Sequence, residues 1–251
     1  MSQQSPIEWT DHTFNPWWGC TKVSAGCAHC YAEAFSNRYG HSVWGPEAER
    51  RFFGEKHWQE PLRWNSAAQQ ARQRAKVFCA SMADVFEDNP KLNPEREKLW
   101  RLIQQTPWLD WQILTKRPEN ILQMSPWHRH WPDNVWIGTS VENQLAADQR
   151  ILHLKRVPAA IRFLSCEPLL GPINEINLVD IHWVIVGGES GPNFRPINVE
   201  WVRNLRDRCR ERQVAFFFKQ WGGRTSKSQG RELDGQIWSQ FPIAAIPALA
   251  S

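Results

Sequence analysis

Short apolar runs without polar alternation constrain this chain more than any other feature. They are Lys76 to Ala80, Trp111 to Thr115, Val135 to Thr139, Ile161 to Ser165, His182 to Val186 and Val214 to Phe218. A strand solvated on one face alternates apolar with polar residues, whereas a continuous run fits a strand covered on both faces. Between the runs, Pro94 to Gln105, Pro118 to Met124, Asn143 to Leu154 and Val199 to Gln213 read as helices, the last Arg-rich with Val202 and Leu205 at helical spacing. Strand alternating with helix specifies βαβ units and a parallel sheet. A further strand within Ile7 to Phe14 brings the count to six or seven, so the expected fold is α/β, a partial or full TIM-like (β/α) barrel.

Polar residues follow nearly every run: Ser81 and Asp84, Lys116 and Arg117, Ser140 and Glu142, Cys166 and Glu167, Glu189 and Ser190, Lys219 and Gln220. In a β/α barrel these positions converge on one mouth, where active sites are built. Ordinary loop polarity accounts for part of the same pattern.

A length of 251 residues suits one barrel, expected over residues 1–221, with a C-terminal hairpin and tail over 222–251. Residues 41–75, containing ERRFFGEKHWQEPLRWN, read as an aromatic and basic insertion that covers the mouth, contacts an anionic substrate, or is a structural excursion. Gly230 and Asp234-Gly235 are turn signals for the hairpin, and past Pro242 a small-residue apolar tail is expected to be loosely ordered. No apolar run reaches the length of a membrane span, and the amino terminus lacks a basic segment followed by an apolar one. The expectation is a soluble cytoplasmic protein. A net charge of +4 permits a nucleic-acid partner without demanding one. Sixteen tryptophans divide between core packing and a pocket or base-stacking role.

Cys20, Cys27 and Cys30 crowd one stretch, GCTKVSAGCAHCYAEAF. Thiols in a reducing compartment are metal ligands or catalysts more often than disulfides. A structural zinc site has four protein ligands, so zinc here needs His12 or His41 as the fourth, because His29 inside the CxxC points away from a metal held by its neighbours. Three thiolates with one position open suit an iron–sulfur cluster instead.

The loop Cys27-Ala-His-Cys30-Tyr31-Ala32, after a first strand and leading into a helix, resembles the cluster loop of radical S-adenosylmethionine (SAM) enzymes. The resemblance implies a 4Fe-4S cluster on the three cysteines, SAM chelated at the open iron and cleaved to a 5′-deoxyadenosyl radical, and the superfamily's barrel. Over residues 7 to 242, the segments IEWTDHTFNPWWGC, GGESG and GRELDG resemble a phage and bacterial three-cysteine family, similar at a distance to spore photoproduct lyase, a radical SAM enzyme repairing a thymine dimer in DNA. Two features depart from the superfamily. Six residues separate Cys20 from Cys27 instead of three, and the place of its GGE segment is taken by Ala80-Ser81-Met82-Ala83-Asp84, with Gly187-Gly188-Glu189 far later.

Carried onto this chain, the resemblance implies that Ser81 and Asp84 hold the SAM amino group, since a hydroxyl or carboxylate accepts from an ammonium. Ser140 and Glu142 then contact the ribose and carboxylate of SAM, Lys116 neutralises a carboxylate or phosphate, and Gly187 and Gly188 allow close backbone approach. Cys166, directly after a strand, is the candidate hydrogen-atom donor, with Glu167 and Glu189 assisting proton transfer. The expected function is a radical SAM enzyme of isomerase or lyase type acting on a nucleobase in DNA or a nucleotide, fed by a flavodoxin- or ferredoxin-type electron donor. Two alternatives stay open: a metal-stabilised nucleic-acid-binding protein without SAM chemistry, and a radical SAM enzyme acting on a peptide or small metabolite.

Overall fold

A computed structural model describes residues 5–226 and 228–243. Its main sheet has seven strands, β1 (His12–Thr13), β2 (Ala75–Cys79), β3 (Leu109–Thr115), β4 (Val135–Ser140), β5 (Ile161–Cys166), β6 (Trp183–Gly187) and β7 (Ala215–Gln220). They lie side by side in chain order, and every neighbouring pair is parallel. The main helices are α1 (Tyr31–Arg38), α2 (Glu60–Ala71), α3 (Asn93–Gln105), α4 (Gln144–Lys155) and α5 (Val199–Glu211).

The sheet curls into a half-barrel, and one ring contact shows how far. Trp9, just before β1, meets Trp183 of β6 edge-on with centroids 6.0 Å apart. In a flat sheet, five strand spacings of about 4.8 Å would hold them roughly 24 Å apart. Curling buries both faces. Trp9, Phe78, Trp136, Phe163, Trp183, Ile185 and Phe217 fill the concave side. Val77, Ile113, Ile137, Leu164, Val184 and Phe216 pack in the larger cluster with side chains of α2, α3, α4 and α5. Burial on both faces is why the strands read as continuous apolar runs.

Helix boundaries follow local chemistry. The side chain of Asn143 accepts from the Ala146 amide to open α4, and that of Asn198 from the Glu200 amide to open α5. Glu200 in the first turn of α5 and Arg208 and Arg210 in the last complement the helix dipole.

Residues 41–75 are more regular than expected. Arg51–Phe52 pairs antiparallel with Trp17–Trp18, a helical turn covers Glu55–Trp58, and α2 buries Pro61, Trp64 and Ala68. The second half is thus the helix preceding β2, its Trp64 and Ala68 at i, i+4 spacing. Within the same segment Arg50 is buried against Glu87 at 2.6 Å and donates to the carbonyls of Val43, Gly45 and Ala48, so this cation serves the fold. Pro118 to Met124, expected as one helix, is a 3-10 turn followed by a single turn at Ile121–Met124.

The C-terminal hairpin forms as read, with Glu232–Leu233 antiparallel to Gln236–Ile237. Asp234 and Gly235 turn it at φ of 54° and 75°, the left-handed pair that a tight hairpin requires. Asp234 accepts from Arg203 and Arg206, fastening the hairpin to α5. The tail beyond Ile243 lies outside the described residues. Nine of the sixteen tryptophans are buried, so most serve packing. Among the described residues no helix is long and apolar enough to cross a membrane.

Candidate active site at the mouth of the half-barrel

The cysteine loop runs over the C-terminal ends of the strands. It begins where the Gly19 amide donates to the Met82 carbonyl, makes a 3-10 turn at Ala25–Cys27, and ends at Cys30, the N-cap residue of α1. Residues after several strands fasten it. From β2, Glu87 accepts from the Thr21 hydroxyl at 2.8 Å. From β3, Arg117 Nη2 donates to the Thr21 carbonyl at 2.7 Å and its Nη1 approaches Cys20 Sγ at 3.7 Å.

From β4, Glu142 accepts from Ser24 Oγ at 2.9 Å. Gly26 makes this contact possible, because a Cβ there would stand 2.5 Å from Glu142 Oε1. From β6, Glu189 Oε2 meets His29 Nδ1 at 3.1 Å. Finally, Tyr31 donates through its hydroxyl to the Ser81 carbonyl at 2.9 Å.

The fastening groups are charged and organised behind the loop. Asp84 is buried with both oxygens occupied: Oδ1 accepts from Thr115 Oγ1 and the Phe86 amide, Oδ2 from the Lys116 amide and Arg117 Nη1. Burial works against the Arg117 charge, yet Asp84 outweighs it and holds the guanidinium firmly protonated. Burial likewise raises the Glu142 carboxyl, but Lys116 at 3.2 Å and Arg150 at 2.8 Å bring it below the usual carboxylate range. Glu189 follows the same balance, with Arg195 prevailing over burial through its amide, its Nε and a second guanidinium contact.

The three cysteines are free, half-buried thiols. Burial, with Asp84 adding to it and Arg117 opposing, pushes Cys20 up to about 12. Burial also raises Cys30, and Cys27 adds to that rise. Both are therefore held as thiols in this form. Thiolate sulfur is the donor that iron–sulfur clusters use, so the residues fit such a group in kind. Among the described residues no three His, Cys, Asp or Glu side chains gather as the ligands of one metal ion would. The histidines considered for a zinc site are engaged elsewhere, His12 stacked on Trp64 and His41 bonded to Arg51.

Several expected site residues stand differently from their assigned roles. Asp84, expected to hold a cosubstrate amino group, has no free oxygen and anchors Arg117 instead. Ser81 is half-buried, its hydroxyl bonded to Asn15. Cys166, expected to reach the cavity, is fully buried in the helix-facing cluster together with Cys209. Strand alternation explains this, since its neighbour Ser165 turns to the opposite side and meets Glu167 at 3.3 Å.

Glu167 pairs with Lys219 at 2.9 Å and rests on Gly187, where a Cβ would stand 2.6 Å from its Oε1. Gly188 admits the Trp221 carbonyl, 2.0 Å from where its Cβ would be, so backbone of this chain fills the space expected for a ligand. Ser140 is buried, and its carbonyl accepts from Arg150. Nothing local marks Ser24, Gly26, Arg150 or Arg195 as part of this assembly. His29 alone carried a signal, as the polar residue inside the CxxC.

A parallel half-barrel whose strand-end loops carry a fastened three-thiol segment defines the class: an α/β protein of the (β/α) half-barrel kind with its candidate site at the C-terminal mouth. More narrowly, residues 4–242 match the family described as protein of unknown function (DUF5131), and the chain belongs to that family. No curated protein matches the sequence.

Among solved structures, the fold is similar to spore photoproduct lyase. A mutant with dinucleoside spore photoproduct matches at 11% identity and a TM-score of 0.50, over 82% of this chain and 62% of that one. A second mutant, with bound AdoMet and dinucleoside spore photoproduct, matches at 11% identity and a TM-score of 0.48, over 79% and 61%. The chain thus spans about three-fifths of the length of these structures. At such identity the likeness is one of fold.

Proposed function

We propose that this protein is a radical SAM enzyme whose Cys20, Cys27 and Cys30 hold a 4Fe-4S cluster and whose substrate is a nucleobase in DNA, converted by an isomerase- or lyase-type reaction. One observation carries the reading: three free thiols on a single loop, fastened across the mouth of a parallel half-barrel by the residues that end its strands. Such a cluster, when bound, supplies the electron that cleaves SAM.

The chain's own residues orient and enclose. The Asp84–Arg117 pair fixes Cys20 and Thr21 and thereby accommodates the long spacing to Cys27. Glu142 with Lys116 and Arg150 fixes the arc at Ser24 and Gly26. Glu189 with Arg195 fixes His29 between the other two thiols. Lys116 and Lys219, half-buried at the mouth and paired there with Glu142 and Glu167, are the cations proposed to meet a cosubstrate carboxylate or a substrate phosphate.

Glu189 is held ionised by Arg195, which favours anchoring over proton donation. Cys166, on the helix-facing side, is set aside as hydrogen-atom donor. The likeness to a protein solved with a dinucleoside photoproduct supports a nucleic-acid substrate, and a base in duplex DNA would have to be extruded to reach the mouth. A flavodoxin- or ferredoxin-type protein is the proposed electron source.

The test is anaerobic reconstitution followed by electron paramagnetic resonance and assay of 5′-deoxyadenosine, with and without DNA. The expected result is a reduced-cluster signal that changes on adding SAM, SAM cleavage, and loss of both in Cys27→Ala. Stoichiometric zinc with no response to SAM would overturn the reading in favour of a metal-stabilised binding protein.

A further inference from the structure

Four aromatic rings form a continuous row beside the cysteine loop. Tyr39 and Phe35 lie 4.8 Å apart, Phe35 and Trp18 6.0 Å, and Trp18 and Phe53 5.8 Å between centroids. Phe35 is 42% exposed and Tyr39 62%, although rings of this size ordinarily contribute buried area. Phe35 projects from α1 and Tyr39 caps its C-terminus, while the N-cap residue is Cys30 and the first residue, Tyr31, reaches the mouth through Ser81. Phe35 and Tyr39 thus lead away from the candidate site along α1, and Trp18 and Phe53 continue the row onto the Trp17–Trp18 and Arg51–Phe52 strand pair.

Cations accompany the rings. The Arg51 guanidinium lies 4.7 Å over Trp18 and 5.3 Å over Phe53, and Arg38 sits in the last turn of α1. Nearby cations have carboxylate partners, as Lys22 has Glu33 and Arg50 has Glu87. Among the described residues no carboxylate lies within ion-pair reach of Arg38 or Arg51.

We propose that this row, with Arg38 and Arg51, is a stacking platform for a single-stranded segment of nucleic acid leading to the mouth. The exposed rings of Phe35 and Tyr39 supply faces on which bases stack without regard to sequence, and the guanidinium groups of Arg38 and Arg51, neither bound to a carboxylate, meet the phosphates. A protein interface centres its aromatic anchors in desolvated pockets, whereas Phe35 and Tyr39 stand exposed with a cation-flanked ring row beside them. The inference rests on the nucleic-acid reading above and names the surface that serves it.

Fluorescence anisotropy of a labelled single-stranded oligonucleotide tests it, using the full chain, the double variant Phe35→Ala/Tyr39→Ala and the double variant Arg38→Gln/Arg51→Gln. Circular dichroism checks that each variant is folded. The expected result is binding weakened about tenfold or more by removing the rings, and a salt dependence shallower by about 1.4 in log–log slope on removing the two arginines. If the parent binds and the ring variant binds equally well, the platform lies elsewhere while the nucleic-acid reading stands. If the parent binds no oligonucleotide, single- or double-stranded, that reading falls together with the platform. Loss of self-association in the ring variant, with oligonucleotide binding unchanged, would assign the row to a protein contact and overturn the proposal.

Discussion

Arg117 reaches from the end of β3 to Cys20, with Nη1 3.7 Å from the sulfur and 2.9 Å from Asp84 Oδ2, while Nη2 donates to the Thr21 carbonyl. One buried guanidinium thus joins the ends of β2 and β3 to the first thiol of the loop. It holds that thiol where a long spacer would otherwise leave it loosely determined.

Replacing Arg117 by Leu leaves Asp84 buried without its counter-charge. Removing one partner of a buried pair costs about 3–5 kcal/mol, and urea denaturation of the apoprotein should show a loss of that size. Iron bound per chain after anaerobic reconstitution should fall as well. Arg117→Lys keeps the charge beside Asp84 but not both arms, so it should recover part of the stability and less of the iron. Unchanged iron content in the Leu variant would exclude Arg117 as the residue that positions Cys20.

The thiols divide by exposure. Cys20, Cys27 and Cys30 are half-buried, whereas Cys79, Cys166 and Cys209 are buried. A colorimetric thiol reagent should titrate the first three in the native apoprotein and the other three only after unfolding. Cys20 should react last of its group, because burial and Asp84 push its thiol up to about 12 and thiolate is the reactive form. Rapid labelling of Cys166 would contradict its helix-facing placement.

Two glycines seat carboxylates. Gly26→Ala would drive a methyl group to 2.5 Å from Glu142 Oε1, and Gly187→Ala to 2.6 Å from Glu167 Oε1. Each should cost about 1–3 kcal/mol as the neighbour is displaced. Only the first should impair cluster loading, because of these two carboxylates Glu142 holds the cysteine loop and Glu167 does not. Equal loss of iron in both variants would show that the mouth responds as a whole and not through that contact.

Asp110, opposite Lys76 on β2, gives a pH dependence remote from the site. Burial lifts its carboxyl to about 6 against the pull of Arg74, which it meets at 2.9 Å. The folded state holds this proton more tightly than the unfolded one. The group's contribution is therefore complete below the ordinary carboxylate value and is lost as pH rises through about 6. Asp110→Asn should gain stability relative to the parent between pH 4 and 7, by up to about 3 kcal/mol. Melting temperatures of the two proteins across that range check the sign.

Much of the architecture was legible from local pattern. Val135 to Thr139 and His182 to Val186 read as doubly covered strands because both faces of β4 and β6 are buried, and a run of that kind has few other uses. The three cysteines stood out because thiols are rare in this chain and their spacing is local. The helix α2 was harder to see, since Trp64 and Ala68 are its few apolar markers among charged and amide residues.

What the amino-acid order determined by itself was the parallel sheet, the helix layer, the Asp234-Gly235 turn and the cysteine loop, each set by interactions within a few residues. Tertiary structure alone decided that Asp84 anchors Arg117, that Glu142 receives Ser24 and that Glu189 receives His29, pairs up to 160 residues apart. It also decided that Cys166 faces the helices. The physical reason is that backbone propensity and burial act along the chain, whereas the curl of the sheet selects which strand ends meet, and a shift of one residue along a strand turns a side chain to the opposite face.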